Sequence, residues 1–497
     1  MAVPSSTYHT IVVSDFHLAD AEPAHGENPL WKKFRRKDYF IDQTVADFLK
    51  SIANEVKGAP IELVLNGDTF DFDSITALPL HRDFDISYTE KRIGVDSTQE
   101  KSLFKMELIL RDHKIFFETL SEFIKDGNHV VFVIGNHDAE LYWPKVQKAI
   151  QEALNLPDNL KHHIRFCEWF YIAQGDTLIE HGHQYDPYCL ILDPIYPLVK
   201  KKGEFKIRLP FGNLANRHMV NQMGLKNPHS DDSFVKSVRE FANFFVEYEM
   251  KTQPFMIVTW FFGALRTLFT SINEGLYPTI KDPLTLEDRL KQIALKSNSE
   301  VSVVLALKEN HAHPAVLRPL MVLKELWLDR AFLLIMIVWG CWQIFTTSNV
   351  FAHVSLWWFL VPLMASLPFF LYYAHGVKSD VRKNAGKALK RAPLSAKMAN
   401  VKKVVHGHTH LEGHLFLEDV EYINTGTWSP RFKDAECELP YGDMHFAWIN
   451  GEKNREMGLF VWKNSHIENK EITTVTDYKD ITPTPTHTQR EFMELPL

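Results

Sequence analysis

The sequence predicts a layered α/β fold interrupted by a long helical insertion, and three observations carry that expectation. From residue 9 to about 185, short apolar runs alternate with stretches of helical periodicity. Strand-like runs resume only after residue 400, and the residues between include a long stretch with no charged side chain. The first runs, Ile11–Val13, Ile61–Leu65, Val130–Ile134 and Thr177–Ile179, have strand length and composition. Between them, Ile41–Lys57 and Leu103–Lys125 place apolar residues three and four apart, as amphipathic helices do. Lys403–Val405, Leu415–Leu417, Tyr422–Ile423, Met444–Trp448 and Gly458–Trp462 return to strand character. Alternation of this kind puts helices over a sheet. The sheet-forming domain is therefore expected in two parts, 1–186 and 401–473. They enclose a helical insertion (187–330), an apolar hairpin (331–377) and a basic segment (378–400). The tail from 474, with Thr-Pro-Thr-Pro at 482–485, is expected to be flexible.

The hairpin follows from composition. No Asp, Glu, Lys or Arg occurs from Ala331 to Val377. A membrane-spanning helix needs about 20 apolar residues, so the stretch has room for two spans, about 331–346 and 351–374, turning near Thr346–Asn349. Arg318, Lys324 and Arg330 precede it, and Lys378, Arg382, Lys383, Lys387, Lys390 and Arg391 follow. The positive-inside rule assigns both ends to the cytosol, and the trailing cluster would attract anionic lipid headgroups. The plainer alternative, to which Gln343, His353, Pro362 and Pro368 point, is a buried hairpin of a soluble domain, with an in-plane, half-inserted hairpin between the two. Phe255–Phe269, aromatic-rich and interrupted by Arg266, is too short to span and reads as an interfacial or core helix.

With 497 residues, 45% of them hydrophobic, the chain can build a large core. A net charge of −7 argues against a general nucleic-acid binder but not against a phosphorylated ligand, because bound cations would supply local positive charge. Cys167, Cys189, Cys341 and Cys437 are scattered without a CxxC pair, the pattern of a reducing compartment. The first residues lack a basic, apolar leader, so the sheet-forming domain is expected on the cytosolic side.

Five motifs stand directly after apolar runs: Asp15-Phe-His17, Gly67-Asp68, Gly135-Asn-His-Asp138, His181-Gly-His183 and Gly407-His-Thr-His410. Strand ends of a layered α/β fold gather at one edge, where ligands bind. Asp-x-His and His-x-His present two side chains on one side of an extended backbone, since the strand period is two. Carboxylates, imidazoles and one amide oxygen, without thiolate, suit manganese, iron or zinc. Two divalent cations about 3.5–4 Å apart need a bridging carboxylate, and Asp68 is the natural bridge.

This ordered series resembles the calcineurin-like metallophosphoesterase superfamily, over residues 9–186 and 401–430. The resemblance implies a four-layer α/β/β/α sandwich and two divalent cations, manganese foremost. One cation would be held by Asp15, His17, Asp68 and His410, the other by Asp68, Asn136, His181 and His408. It implies hydrolysis of a phosphoester or pyrophosphate bond by in-line attack of a metal-bound hydroxide. His137 would face the substrate as a catalytic group, with Asp138 orienting its ring. Gly-Asp-x-Phe and the run His181–Asp186 look most like the branch that includes UDP-2,3-diacylglucosamine pyrophosphatase, which fits a lipid-linked substrate beside a membrane hairpin. That enzyme has arginine where this chain has His137, and it lacks the large insertion.

Each residue also has a plainer reading. Asp15 and His17 taken alone would be a strand-end turn; only the series makes them ligands. His183 competes with His181, which is preferred because it leaves the strand directly. His406 and His414 read as structural, and Asp71 and Asp73 as turn or helix-start residues. Asn424–Trp428 resembles the family's closing loop, in a supporting role. Protein phosphatases of this superfamily show G-D-x-x-D-R-G and G-N-H-E, which this chain lacks. A non-enzymatic membrane scaffold would be expected to have lost a ligand or the signature histidine, and none is lost here.

Overall fold

A computed structural model describes residues 8–81, 84–201, 203–225, 227, 255–282, 284–376, 381–469 and 473–474. One seven-stranded sheet is built from β1 (His9–Val13), β2 (Ile61–Asn66), β3 (His129–Val133), β4 (Ile164–Cys167), β12 (Met444–Ile449), β13 (Met457–Lys463) and β14 (His466–Asn469). Its order is β14-β13-β12-β1-β2-β3-β4, with β1 to β4 parallel and the late strands added antiparallel at β1. The second sheet comprises β5 (Phe170–Ala173), β6 (Thr177–Glu180), β9 (Lys403–His406), β10 (Gly413–Leu417), β11 (Val420–Asn424) and β15 (Thr473–Thr474), in the order β15-β10-β11-β9-β6-β5. A separate hairpin, β7 (Leu198–Lys201) and β8 (Glu204–Ile207), lies within the insertion.

The helices of the first part are α1 (Asp42–Glu55), α2 (Glu90–Ile93), α3 (Gln99–Asp112), α4 (Lys114–Lys125) and α5 (Pro144–Leu154). The insertion holds α6 (Phe211–His218), α7 (Met256–Leu276), α8 (Leu286–Lys296), α9 (Val301–Glu309), α10 (Pro319–Glu325), α11 (Leu328–Phe351), α12 (Trp357–Gly376) and α13 (Val381–Ala399). Val12, Val64, Val131 and Leu459 of one sheet share a core with Ile179, Val405 and Ile423 of the other, so the sheets lie face to face. The outer face of the first sheet packs on α1, α3, α4 and α5 through Phe48, Ile109, Leu120 and Ile150. Buried on both faces, β2 is apolar almost throughout, as parallel strands between two layers must be.

The outer face of the second sheet is covered by Leu290, Ile293, Val304, Leu307, Leu389, Ala392 and Ala396 of α8, α9 and α13. The insertion therefore supplies the layer that closes this sheet. A further apolar cluster, with Phe211, Met219, Ala264, Leu268, Val316 and Val322, joins α6, α7 and α10.

Two sequence expectations need correction. The helical stretch Leu103–Lys125 breaks at His113, whose backbone leaves the helical region while its ring contacts Asp42 (2.9 Å) and the Ala19 carbonyl (2.7 Å). The hairpin does not turn at Thr346–Asn349: α11 continues to Phe351, and Thr346 donates its hydroxyl to the Trp342 carbonyl within the helix (3.0 Å). Both α11 and α12 are long and apolar enough to cross a membrane, and almost none of either is buried. Lys378 and the tail beyond residue 474 lie outside the described residues.

Candidate metal centre

β1, β2, β3, β6 and β9 point their C-terminal ends the same way, and the five motifs leave from those ends. Asp15, His17, Asp68, His408 and His410 all have left-handed backbone, with φ between 50° and 66°. For residues with a Cβ this costs of order 1–3 kcal/mol each, and such strain collects at functional sites. It is held by the backbone: Asp15 N–H donates to Gly67 O (3.1 Å) and His17 N–H to Asp68 O (2.9 Å). The Asp15 carbonyl in turn accepts the Thr427 hydroxyl (2.9 Å) and the amides of Trp428 and Ser429.

The motif glycines are needed for space. A Cβ on Gly67 would stand 2.4 Å from the His181 ring, one on Gly135 2.3 Å from Asp68 Oδ1, and one on Gly407 2.6 Å from Asp15 Oδ2. Each glycine leaves the volume that another motif's side chain fills.

Two groups of side chains result. Asp15, His17 and His410 can bring one ligand atom each within 4.8 Å of one another, and so can Asp68, His181 and His408. In the first group, His410 Nε2 lies 3.2 Å from Asp15 Oδ1 and 3.3 Å from His17 Nε2. In the second, His181 Nε2 lies 3.1 Å from Asp68 Oδ2, and it is also 4.0 Å from Asp15 Oδ1, which joins the groups. Asn136 is buried beside them, and its Oδ1 has no hydrogen-bond partner among the described residues. Six of the seven expected ligands thus meet in one strand-end cluster, and Asn136 follows Gly135, which packs against Asp68.

The donor set fits cations. Asp15 and Asp68 are fully buried. Burial alone would raise both carboxyls, but His181 and His410 hold Asp15 below its ordinary value, and His181 and His137 hold Asp68 well below. Conversely, burial would lower His181, yet Asp68 and Asp15 push it up to about 9. The pocket demands positive charge, whether from protons or from metal ions. His181 Nδ1 donates to the Asn66 carbonyl (2.9 Å), the only role a ring nitrogen can take there; in the neutral ring Nε2 then presents its lone pair to the carboxylates.

His137 lies at the same edge, partly exposed, with its amide donating to Asp68 Oδ1 (2.8 Å). Asp138 does not orient its ring, contrary to the expectation above. Its carboxylate accepts Gly135 N–H (2.6 Å) and Thr69 N–H (2.8 Å), tying two motif loops together. The ring instead faces Asp71 Oδ1 (3.3 Å) and Asp73 Oδ2 (3.6 Å), which therefore do more than shape a turn. Burial would lower the ring's pKa, but Asp68 and Asp71 raise it to about 10.

His183 is buried behind His181, and His406 and His414 pair with Glu180 and Glu421. Asp186 contacts His408 Nε2 at 3.2 Å. The sequence reading omits three residues of the insertion. Asn213 on α6 donates to Asp73 Oδ2 and to the Asn136 carbonyl (2.7 Å); Asn221 donates to the Asp73 carbonyl (2.7 Å); Arg217 lies 3.8 Å from Asp73 Oδ1. Their one regularity in sequence is a spacing of four, at 213, 217 and 221, within a stretch that also holds Asn216, His218 and Gln222.

Residues 8–236 match the family model of the calcineurin-like phosphoesterases. The matched span carries Asp15, His17, Asp68, Asn136, His137 and His181, and ends before His408 and His410, which β9 brings to the same edge. No curated protein matches the chain.

Proposed function

We propose that this chain is a metal-dependent phosphoesterase that hydrolyses a phosphoester or pyrophosphate bond of a membrane-associated, lipid-linked substrate. The observation that carries the reading is the meeting of two buried carboxylates and four imidazoles, six side chains from four separate motifs. Asp15, His17, Asp68 and His410 would hold one divalent cation, and Asp68, Asn136, His181 and His408 a second. Manganese suits these donors best, with iron or zinc as alternatives. Bound cations would supply Lewis acidity, lowering the pKa of water and offsetting charge on the transferring phosphoryl group.

The remaining work belongs to the chain. The Asn66 carbonyl fixes the tautomer of His181, and the left-handed turns aim Asp15, His17, Asp68 and both histidines of the last motif inward. His137 faces Asp71 and Asp73 at the edge of the cluster, where a protonated ring would stabilise a phosphoryl oxygen or protonate a leaving oxygen. Asp71, Asp73 and Asn213 position that ring. α11 and α12 would anchor the chain, with the metal centre on the cytosolic side. The run His181–Asp186 supports a substrate like that of the UDP-2,3-diacylglucosamine pyrophosphatase branch, a pyrophosphate-linked lipid.

The test is protein purified in detergent with manganese and assayed on p-nitrophenyl phosphate, its bis-ester and pyrophosphate-linked lipids. Metal-dependent hydrolysis, fastest on the lipids, is expected. A metal-loaded protein inert on every phosphate ester and anhydride would refute the proposal.

A further inference from the structure

α7 has two unlike faces. One carries Met256, Gly263, Ala264, Thr267, Leu268, Ser271 and Glu274, all buried. These small residues let the backbone come close: a Cβ on Gly263 would stand 2.7 Å from the His218 carbonyl, and one on Gly275 3.0 Å from the Val316 carbonyl. Glu274 is pinned by Lys206 at 2.5 Å. The helix cannot roll, so its opposite face is set.

That opposite face is apolar and uncovered. Val258, Phe262, Phe269 and Leu276 are between 51% and 76% exposed, with exposed Asn273 at the margin of the face. No charged side chain of α7 is exposed, since Arg266 is half-buried and Glu274 buried. A helix with this face in water would be a liability; lying in a membrane interface it is stable.

The surroundings identify what covers it. Phe261 packs edge-on against Phe332 near the start of α11 (6.3 Å), so the face runs into the hairpin. Exposed apolar residues go all round α11 and α12, as a bilayer requires and a single docked partner does not. Leu317, Leu320 and Trp327 are exposed at the same base, and Arg330 stacks on the Trp327 ring (4.6 Å). Arg318 and Lys324 are exposed there as well, suited to anionic headgroups.

We propose that α7 lies in the plane of the membrane interface with Val258, Phe262, Phe269 and Leu276 among the acyl chains. This rests on the membrane reading of the hairpin and extends it. The buried face of α7 sits on α6, whose Asn213 reaches Asp73 and the Asn136 carbonyl. α6 thus links the membrane-facing helix to the residues around the candidate metal centre.

Full-length protein carrying a single environment-sensitive label at Phe262→Cys or Phe269→Cys would be placed in phosphatidylcholine–phosphatidylglycerol vesicles with or without brominated acyl chains. Trp339→Cys reports on the hairpin and Lys161→Cys on water. Loss of emission with brominated lipid at 262, 269 and 339, and none at 161, is the expected result. Quenching at 339 but not at 262 or 269 would overturn the proposal and leave the hairpin standing. A label at 262 that is shielded from water but unquenched would overturn it in favour of a protein partner, such as a second copy. Absence of quenching at all positions would overturn the membrane reading itself.

Discussion

Asp68→Asn removes one buried charge while keeping size and one oxygen. Asp68 Oδ1 accepts the His137 amide, a bond the asparagine retains, so the loop should keep its path. What goes is the charge facing His181 Nε2 across 3.1 Å. At an effective dielectric of about 20, a unit charge at that distance is worth about 5 kcal/mol. A cation held on the same side loses an attraction of that order, and at 1.4 kcal/mol per decade kcat/KM should fall by about 10³-fold or more. Metal content by elemental analysis should fall with it, because Asp68 is the only carboxylate assigned to both ions. The measurements are metal stoichiometry, phosphoester hydrolysis and thermal midpoint on the same preparation. A variant that keeps two metal ions and a rate within tenfold of wild type would refute the bridging role.

Asn213→Ala leaves Asp73 Oδ2 and the Asn136 carbonyl without this donor, so turnover should drop about 10–100-fold with metal content retained, as expected of a positioning group; kinetics and elemental analysis together check this. Gly67→Ala forces a Cβ to 2.4 Å from the His181 ring at a residue with φ of 79°, and should lower both metal content and the thermal midpoint. For Asp96, burial would raise the carboxyl, but Lys206 and Arg217 hold it well below its ordinary 3.8. Its folded value lies below the unfolded one, so it stabilises the fold above about pH 4 and loses that contribution as pH falls; Asp96→Asn should flatten the acid side of a stability–pH curve. Alkaline carbonate should leave the wild-type protein with the membrane pellet, and its release to the supernatant would exclude an integral hairpin.

The gathering of Asp15, His17, Asp68, His181, His408 and His410 was legible because each motif is local and each follows an apolar run. Strand ends meet at an edge, and alternation sets which side chains share a side. What the sequence could not display was contact between distant segments. Asn213 belongs to a helix far from the motif it supports, and nothing in its neighbours marks its target. The role of Asp138 was misread for a related reason: adjacency in sequence pointed to the His137 ring, but the tight turn aims the carboxylate at the amides of Gly135 and Thr69. The helix break at His113 was hidden because the apolar spacing runs straight through it, and only the contacts of its ring with Asp42 and Ala19 disclose the stop.

The insertion leaves the chain just after His181 and returns just before His408, and that placement needs a physical answer. The two strands pair side by side, Ile179 opposite Val405, and Gly407 N–H donates to the His181 carbonyl (2.9 Å), which sets the spacing in the group formed by Asp68, His181 and His408. The junction is further closed by a buried polar chain immediately behind those side chains. Ser395 of α13 bonds the Tyr185 hydroxyl (2.7 Å), Tyr185 donates to Glu180 (2.8 Å), and the same Glu180 oxygen lies 3.3 Å from His406 Nε2. Asn310 donates to Ser395 (2.8 Å), and Ala312 N–H to the Gln184 carbonyl (2.9 Å). Glu180 is the residue before His181, and His406 stands two before His408. Ser395, Tyr185, Glu180, His406, Asn310 and Gln184 are all buried and would be costly to leave unpaired, so the departing and returning strands are locked together at the point where the two histidines meet.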